Sequence, residues 1–195
     1  MIRIENKLFF ILAFLMALVV VLSNYLVQFP VSYIGLEELL TYGAFSYPVA
    51  FLITDLSNRR YGKNTAKKIV YLGFILGVLF TLYFSTNYSD FISIRIAIGS
   101  GTAFLIAQLI DVSIFDKLRN KVWFAAPLVS SLIGSSIDTF LFFSISFYGT
   151  GINWVILSFG DLIVKIFIAL VMLIPFRLLL SHVQEISTFE KKISV

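Results

Sequence analysis

The sequence predicts an all-α membrane protein, a bundle of six transmembrane helices, from three observations. Hydrophobic residues make up 59% of the 195 residues, whereas soluble domains average roughly 45–50%. Charged residues make up 13%, about half of the usual share. Apolar runs alternate with short polar segments, and a run of ~20 apolar residues is long enough to cross a bilayer. We therefore expect a single transmembrane domain over residues 1–195.

Six apolar runs define the predicted spans. In chain order they cover approximately residues 8–27, 43–56, 69–84, 91–115, 122–147 and 152–180. The first run begins like a signal peptide, because Met1–Lys7 is short and basic. It continues to Val27 without a small-residue cleavage pattern, so we expect it to be retained.

The second run is unusually short and contains Pro48. At ~1.5 Å per residue it covers only ~21 Å of a ~30 Å hydrocarbon core. One interpretation is a span that is kinked at Pro48 and extended at its start through Leu39–Tyr42. The other is a broken or re-entrant helix, of the kind that lines many transporter sites.

Positive charge is segregated between alternate loops. Thirteen of the 15 Lys and Arg residues lie in the tails or in two loops: Arg3, Lys7, Arg59, Arg60, Lys63, Lys67, Lys68, Lys117, Arg119, Lys121, Arg177, Lys191 and Lys192. The other loops contain neither Lys nor Arg, and the first of them carries Glu37 and Glu38. Under the positive-inside rule this places both termini in the cytoplasm and requires an even number of spans.

Several function classes are disfavoured by composition. The chain has no cysteine and a single histidine, His182, so neither a zinc site nor a Cys-His or Ser-His-Asp hydrolase is expected. It has no phosphate loop or nucleotide fingerprint. Its formal charge of +4 is a topology signal rather than a nucleic-acid signal. We expect neither an enzyme nor a bound cofactor or metal.

Asp138 is the first candidate for a functional residue, because it lies near the middle of the fifth run. A carboxylate at that depth costs several kcal/mol unless it faces a partner or a wet cavity. Pro127, Ser131, Gly134 and Asp138 share one helix face by their spacing. This small and polar stripe predicts a wall that a polar ligand can contact.

Asp161 and Lys165 lie four residues apart in the sixth run, on one helix face. They form either a purely structural ion pair or a pair that opens when substrate enters. We expect Asp138 to lie at a similar depth on the neighbouring span. Two acids and one base would favour a cation, a proton or a ligand with several N–H donors.

Other polar residues leave packing and function open. The stripe Arg95, Gly99, Ala103, Ala107 and Asp111 is either a packing seam with charged ends or a path for gating or coupling. Asp55 followed by Arg59 and Arg60 is either a cytoplasmic gate or a paired helix end. Gln108 either binds a polar ligand or bridges two helices. Asn24 either belongs to the binding site or caps its helix at the membrane interface. Such seams in a small chain, with Gly73 and Gly77 forming another, also predict a homodimer.

Several motifs resemble, in order along nearly the whole chain, the queuosine precursor transporters of the vitamin uptake transporter family. They are SNYLVQFPVS at Ser23–Ser32, GAFSYP at Gly43–Pro48, TDL at Thr54–Leu56, QLIDV at Gln108–Val112, Asp138-Thr139 with Phe142-Phe143, and Asp161 with Lys165. The resemblance implies import, across the bacterial inner membrane, of 7-cyano-7-deazaguanine or 7-aminomethyl-7-deazaguanine, with proton or sodium coupling left open.

The predicted site suits the guanine-like ligand that the resemblance implies. A guanine edge presents N–H donors beside a carbonyl acceptor, and pockets for such bases add aromatic stacking. Asp138 or Asp161 could accept from the donors, Gln108 or Lys165 could serve the carbonyl, and Phe45 or Tyr47 could stack. Two rival interpretations are a substrate-capture subunit of an energy-coupling-factor system and a non-transporting membrane scaffold.

Overall fold

The computed structural model describes residues 2–32, 40–84, 88–181 and 183, which fold as an all-helical bundle. Its six helices are α1 Ile2–Leu26, α2 Gly43–Tyr61, α3 Lys63–Phe84, α4 Phe91–Leu118, α5 Ala125–Phe147 and α6 Trp154–Leu180. Glu37, Glu38, His182, Lys191 and Lys192 lie outside the described residues. Five of the helices, all except α2, are long and apolar enough to cross a membrane.

Contacts between helix ends show that the chain runs up and down through the bundle. Near the end of α2, Arg59 contacts Arg119, which follows α4. At the opposite end, Arg95 in the first turns of α4 contacts Ile145 near the end of α5. We call the end where α2, α4 and α6 terminate the basic end, because Arg59, Arg119 and Arg177 lie there.

The helix α2 is continuous through Pro48 and is longer than its apolar run. The extension that the sequence analysis placed at its start is instead at its other end, over Ser57–Tyr61. A broken helix is also excluded by this continuity. Hydropathy missed the extension because the added turn is polar, although Ser57 and Asn58 are fully buried.

The position of α2 explains its polarity. It contacts each of the other five helices, so protein rather than lipid surrounds much of it. Asn58, for example, donates from Nδ2 to the carbonyl of Val112 in α4, at 2.9 Å. A helix inside a bundle can carry polar side chains that pair with neighbours. For this reason α2 is less apolar than the other five helices.

Small residues bring the helices together, as their spacing predicts. A Cβ built on Gly73 or Gly77 of α3 would collide with Met16 or Val20 of α1. In the same way, Gly99 of α4 lies against Ser146 of α5. These seams are therefore filled within one chain, and the homodimer that they suggested stays a prediction.

Candidate functional site

The centre of the candidate site is a buried ion-pair cluster between α5 and α6. Lys165 Nζ lies 2.9 Å from Asp138 Oδ2 and 2.7 Å from Asp161 Oδ2. Thr139 Oγ1 donates to Asp161 Oδ2 at 2.7 Å and accepts from Lys165 Nζ at 3.1 Å. We call these four residues the charged centre. The structure thus brings together the three intramembrane charges that the sequence analysis selected in α5 and α6.

Because the charged centre is buried, each of its charges needs an opposite charge or hydrogen-bond partner to be stable. Asp138 and Asp161 are 3% exposed and Lys165 is 2% exposed. Removing one partner from such a buried pair typically costs about 3–5 kcal/mol, because the other charge is left uncompensated. With both acids ionised, two carboxylates face one ammonium group, so the centre can accept further hydrogen-bond donors.

An aromatic ring covers the charged centre from α2. Lys165 Nζ lies 5.1 Å from the centroid of the Tyr47 ring, within the range of a cation–π contact. Tyr47 is itself 5% exposed. Phe45, the other stacking candidate, is 46% exposed on the outside of the bundle, so the structure does not bring it to the centre.

The hydroxyl of Tyr47 extends the polar network to α1, α3 and α4. It donates to Asn24 Oδ1 at 2.6 Å and lies 2.5 Å from Ser100 Oγ. Ser100 also bonds to Asn24 Oδ1, and Asn24 Nδ2 donates to Thr81 Oγ1 at 2.9 Å. Asn24 is therefore a buried link between helices and not an interfacial cap.

A second polar cluster lies nearer the basic end, between α2, α4 and α5. Asp55 and Asp111 are 2% and 0% exposed, and their carboxyl groups interact electrostatically. Ser130 and Ser131 donate to the two oxygens of Asp55 at 3.3 and 3.5 Å. Neither oxygen of Asp111 has a hydrogen-bond partner among the described residues. We call Asp55 and Asp111 the acid pair.

Gln108 lies three residues before Asp111 in α4 and has one unused donor. Its Oε1 accepts from Thr54 Oγ1 at 2.5 Å, so it bridges α4 and α2. Its Nε2 is buried without a hydrogen-bond partner among the described residues. The amide therefore serves as a helix bridge and keeps an N–H group that a ligand could use.

A narrow cleft between α2, α5 and α6 reaches Asp55 of the acid pair. Pro48, Asp55, Pro127 and Ser131 line it together with apolar residues of α6. Ser131 thus faces the cleft and Asp55, not the charged centre. Arg95 is also distant from both clusters, because its guanidinium donates to the carbonyl of Ile145 at 2.6 and 3.0 Å, a contact that a packing role explains.

Four hydroxyl side chains of these networks were not among the predicted site residues. Thr139, Ser100, Thr81 and Thr54 each bond to a predicted residue on another helix. Their signal in the sequence is weak, because a hydroxyl in a span usually bonds within its own helix, as Ser136 does with Leu132. For a metal, the described residues contain no group of three or more His, Cys, Asp or Glu side chains that could hold an ion.

Comparison with known proteins assigns the chain to a family. The family model described as "Putative vitamin uptake transporter" matches residues 41–180. The chain belongs to the vitamin uptake transporter family. The match spans α2 to α6, and so it includes both the charged centre and the acid pair.

Proteins of three bacteria are similar to the chain over much of its length. The "Probable queuosine precursor transporter" of Haemophilus influenzae is 33% identical, covering 84% of this chain and 82% of that protein. The "Queuosine precursor transporter" of Escherichia coli is 34% identical, covering 87% and 84%. The "Probable queuosine precursor transporter" of Bacillus subtilis is 29% identical over 56% and 57%. No solved structure matches the chain.

The family and the helices together define a multi-pass membrane transporter. Its relatives are named as transporters, which implies a small-molecule substrate. This agrees with the transporter resemblance found in the sequence motifs.

Proposed function

We propose that this protein imports queuosine precursors, 7-cyano-7-deazaguanine or 7-aminomethyl-7-deazaguanine, across the bacterial inner membrane for salvage into tRNA modification. The names of its relatives support this substrate class. The observation that carries the proposal is the contact of Lys165 with both Asp138 and Asp161 in the buried interior. That cluster offers acceptors and a donor to a flat, nitrogen-rich base.

The proposed binding step exchanges the internal ion pairs for contacts with the base. Asp138 accepts from the ring N–H and the amino group of the guanine-like edge, while Lys165 donates to its carbonyl oxygen. Asp161 stays paired with Lys165 and keeps its hydrogen bond from Thr139. Tyr47 supplies an aromatic face next to the ammonium group, and stacking on such a face is worth about 1–3 kcal/mol per base.

The remaining candidates take secondary places in this proposal. Asn24 holds the Tyr47 hydroxyl, and Gln108 offers its unused N–H group. Ser131 lines the cleft on the route toward the basic end. Phe45 and Arg95 act outside the binding centre, Phe45 on the exposed surface and Arg95 in the contact between α4 and α5.

The arrangement in the membrane is part of the proposal. All six helices form one transmembrane domain, with both termini and the basic end in the cytoplasm. The five cations that the sequence placed in a loop lie at the end of α2 (Arg59 and Arg60) and in the first turns of α3 (Lys63, Lys67 and Lys68). Together with the basic residues around the loop between α4 and α5 they support this orientation. The polar α2 crosses as the sixth span because its neighbours cover it.

We further propose that the acid pair couples transport to a proton or a sodium ion. Two adjacent buried carboxylates repel each other strongly in a low dielectric, so one proton or one small cation is needed to stabilise them. Asp111 lies against Asp55 and Ser130, but neither of its oxygens has a hydrogen-bond partner of good geometry among the described residues. With Asp111→Asn, we expect uptake driven by an ion gradient to be lost while exchange of labelled for unlabelled substrate persists.

Uptake of labelled precursor into cells that make no queuosine tests the proposed function. Expression of the protein should give saturable uptake that excess unlabelled precursor blocks and uracil does not. A proton uncoupler and replacement of sodium by potassium then identify the coupling ion. An energy-coupling-factor subunit would require a co-expressed ATPase module, and a scaffold would give no uptake.

A further inference from the structure

A second pocket lies at the basic end, between the ends of α2, α4 and α6 and the start of α5. It spans about 360 Å³ of space free of protein atoms, part of which belongs to the open surroundings. Three of its lining residues are cations: Arg59, Arg119 and Lys121. The described residues that line it include no carboxylate. The pocket is separate from the charged centre, and no part of the proposed transport function uses it.

Two of the cations are held in place by neutral groups. Arg59 Nη1 donates to the carbonyl of Arg119 at 2.8 Å, and Arg119 Nη2 donates to the carbonyl of Arg59 at 3.1 Å. Carbonyls orient a guanidinium without cancelling its charge. Asp116 balances one of them in part, since it lies 3.6 Å from Arg119 Nη1. The pocket therefore holds two oriented guanidinium groups beside Lys121.

The other lining of the pocket is aromatic and aliphatic. Phe176 is 1% exposed and packs edge-on against Phe115, with the ring centroids 6.2 Å apart. Trp123 is 39% exposed and carries the guanidinium of Arg177 over its ring at 5.0 Å. Leu180 completes this side. Cations above an apolar surface match a molecule with a phosphate group and a hydrocarbon chain.

We propose that this pocket binds the headgroup of an anionic phospholipid. Arg59, Arg119 and Lys121 contact the phosphate, and Trp123 and Leu180 contact the first carbons of the acyl chains. The location at the ends of spans supports a lipid, because Trp and basic residues are typical of the membrane interface. A soluble phosphate would share the chemistry at the cations but would leave the apolar side of the pocket unused.

Fluorescence quenching by brominated lipid tests this proposal, because Trp123 lies in the pocket and the chain has only one other tryptophan. Trp154→Phe leaves Trp123 as the sole reporter. The purified variant is placed in mixed vesicles of phosphatidylglycerol and phosphatidylcholine, of which one or the other is brominated. We expect stronger quenching by brominated phosphatidylglycerol at equal mole fraction.

Substitution of the exposed cation provides the matched comparison. Lys121→Gln should reduce the preference for phosphatidylglycerol by about fivefold, the effect typical of one basic residue at an anionic surface. Lys121→Arg should keep the preference. Lys68→Gln removes the same charge from an exposed position at the start of α3, outside the pocket, and should also keep it.

Three results would overturn the proposal. One is equal quenching by the two lipids in the parent variant. Another is an equal loss of preference in Lys121→Gln and Lys68→Gln. The last is loss of the preference when inorganic phosphate replaces chloride at matched ionic strength, which would assign the pocket to a soluble phosphate compound.

Discussion

At the scale of single residues, the charged centre depends on the balance between its three charges. Lys165 is the only cation that contacts Asp138 and Asp161 among the described residues. Its loss would leave two acids close together in a dry environment. Residue identity at this position therefore affects folding as well as transport.

Lys165→Met should lower the amount of folded protein in the membrane. Breaking a buried ion pair costs about 3–5 kcal/mol, and typical domains have only about 5–15 kcal/mol of net stability. The measurement is the monodisperse fraction in detergent by fluorescence-detected size exclusion. The triple variant Asp138→Asn, Asp161→Asn, Lys165→Met removes all three charges and should recover folded protein without recovering uptake. Full uptake by that triple variant would place the binding site elsewhere in the bundle.

The charged members of the site were predictable from the sequence, but several of the hydroxyl groups that connect the helices were not. Asp138, Asp161 and Lys165 stand out because charge inside a bilayer is expensive and rare. Thr139 and Ser100 carry no such signal, because a hydroxyl can bond to its own helix at little cost. Whether a hydroxyl reaches another helix depends on rotation and packing, which the sequence pattern of one helix does not encode.

At the scale of elements, the central helix α2 depends on close packing against α5. A Cβ on Gly134 would lie 2.5 Å from Cε1 of Phe51, a residue of α2 that is 3% exposed. No room exists for a methyl group there unless the aromatic ring or the helix moves. The close approach of α2 to α5 therefore requires glycine at position 134.

Gly134→Ala should destabilise the bundle by about 1–3 kcal/mol, the usual range for overpacking. Gly101→Ala is the control, since its Cβ would meet Phe74 at 3.6 Å, an ordinary contact. The temperature at which half of the protein aggregates in detergent measures the difference. Equal midpoints for the two variants would contradict the packing described for α2 and α5.

Hydropathy predicted the number and order of the helices but misplaced several ends. It placed the starts of α1 and α3 too late and the end of α2 too early, because those turns are polar. It placed the start of α5 too early, at Val122, because Val122–Phe124 is apolar but not helical. Apolar runs report the membrane core, whereas a helix continues until its backbone finds another partner.

At the scale of the whole molecule, the up-and-down path brings the basic helix ends, with the loop between α4 and α5, to one end of the bundle. The loop between α2 and α3 is a single residue, Gly62, with a φ of 79° that favours glycine. The loops of the opposite end carry no Lys or Arg. This charge difference is the basis of the proposed orientation.

Single cysteines test the orientation without background, since the chain has none. In intact cells, Asn120→Cys at the basic end should be protected from a membrane-impermeant maleimide, and Tyr148→Cys at the opposite end should react. Both positions are exposed. After permeabilisation both should react. Labelling of Asn120→Cys in intact cells would show that the basic end lies outside the cell, which is the opposite of the proposed orientation.

The central claim is that the charged centre binds the substrate, and Asp138→Asn tests it most directly. The variant keeps the pair of Lys165 with Asp161, so the protein should still reach the membrane. Asp90→Asn is the matched control, because Asp90 only caps α4 and Asn caps equally well.

The measurement is uptake of labelled 7-aminomethyl-7-deazaguanine in cells that make no queuosine, normalised to protein in the membrane. We predict that Asp138→Asn loses at least about tenfold in uptake, as expected when charged hydrogen bonds are lost, while Asp90→Asn matches the unmodified protein. Uptake by Asp138→Asn equal to that of the unmodified protein would contradict the account.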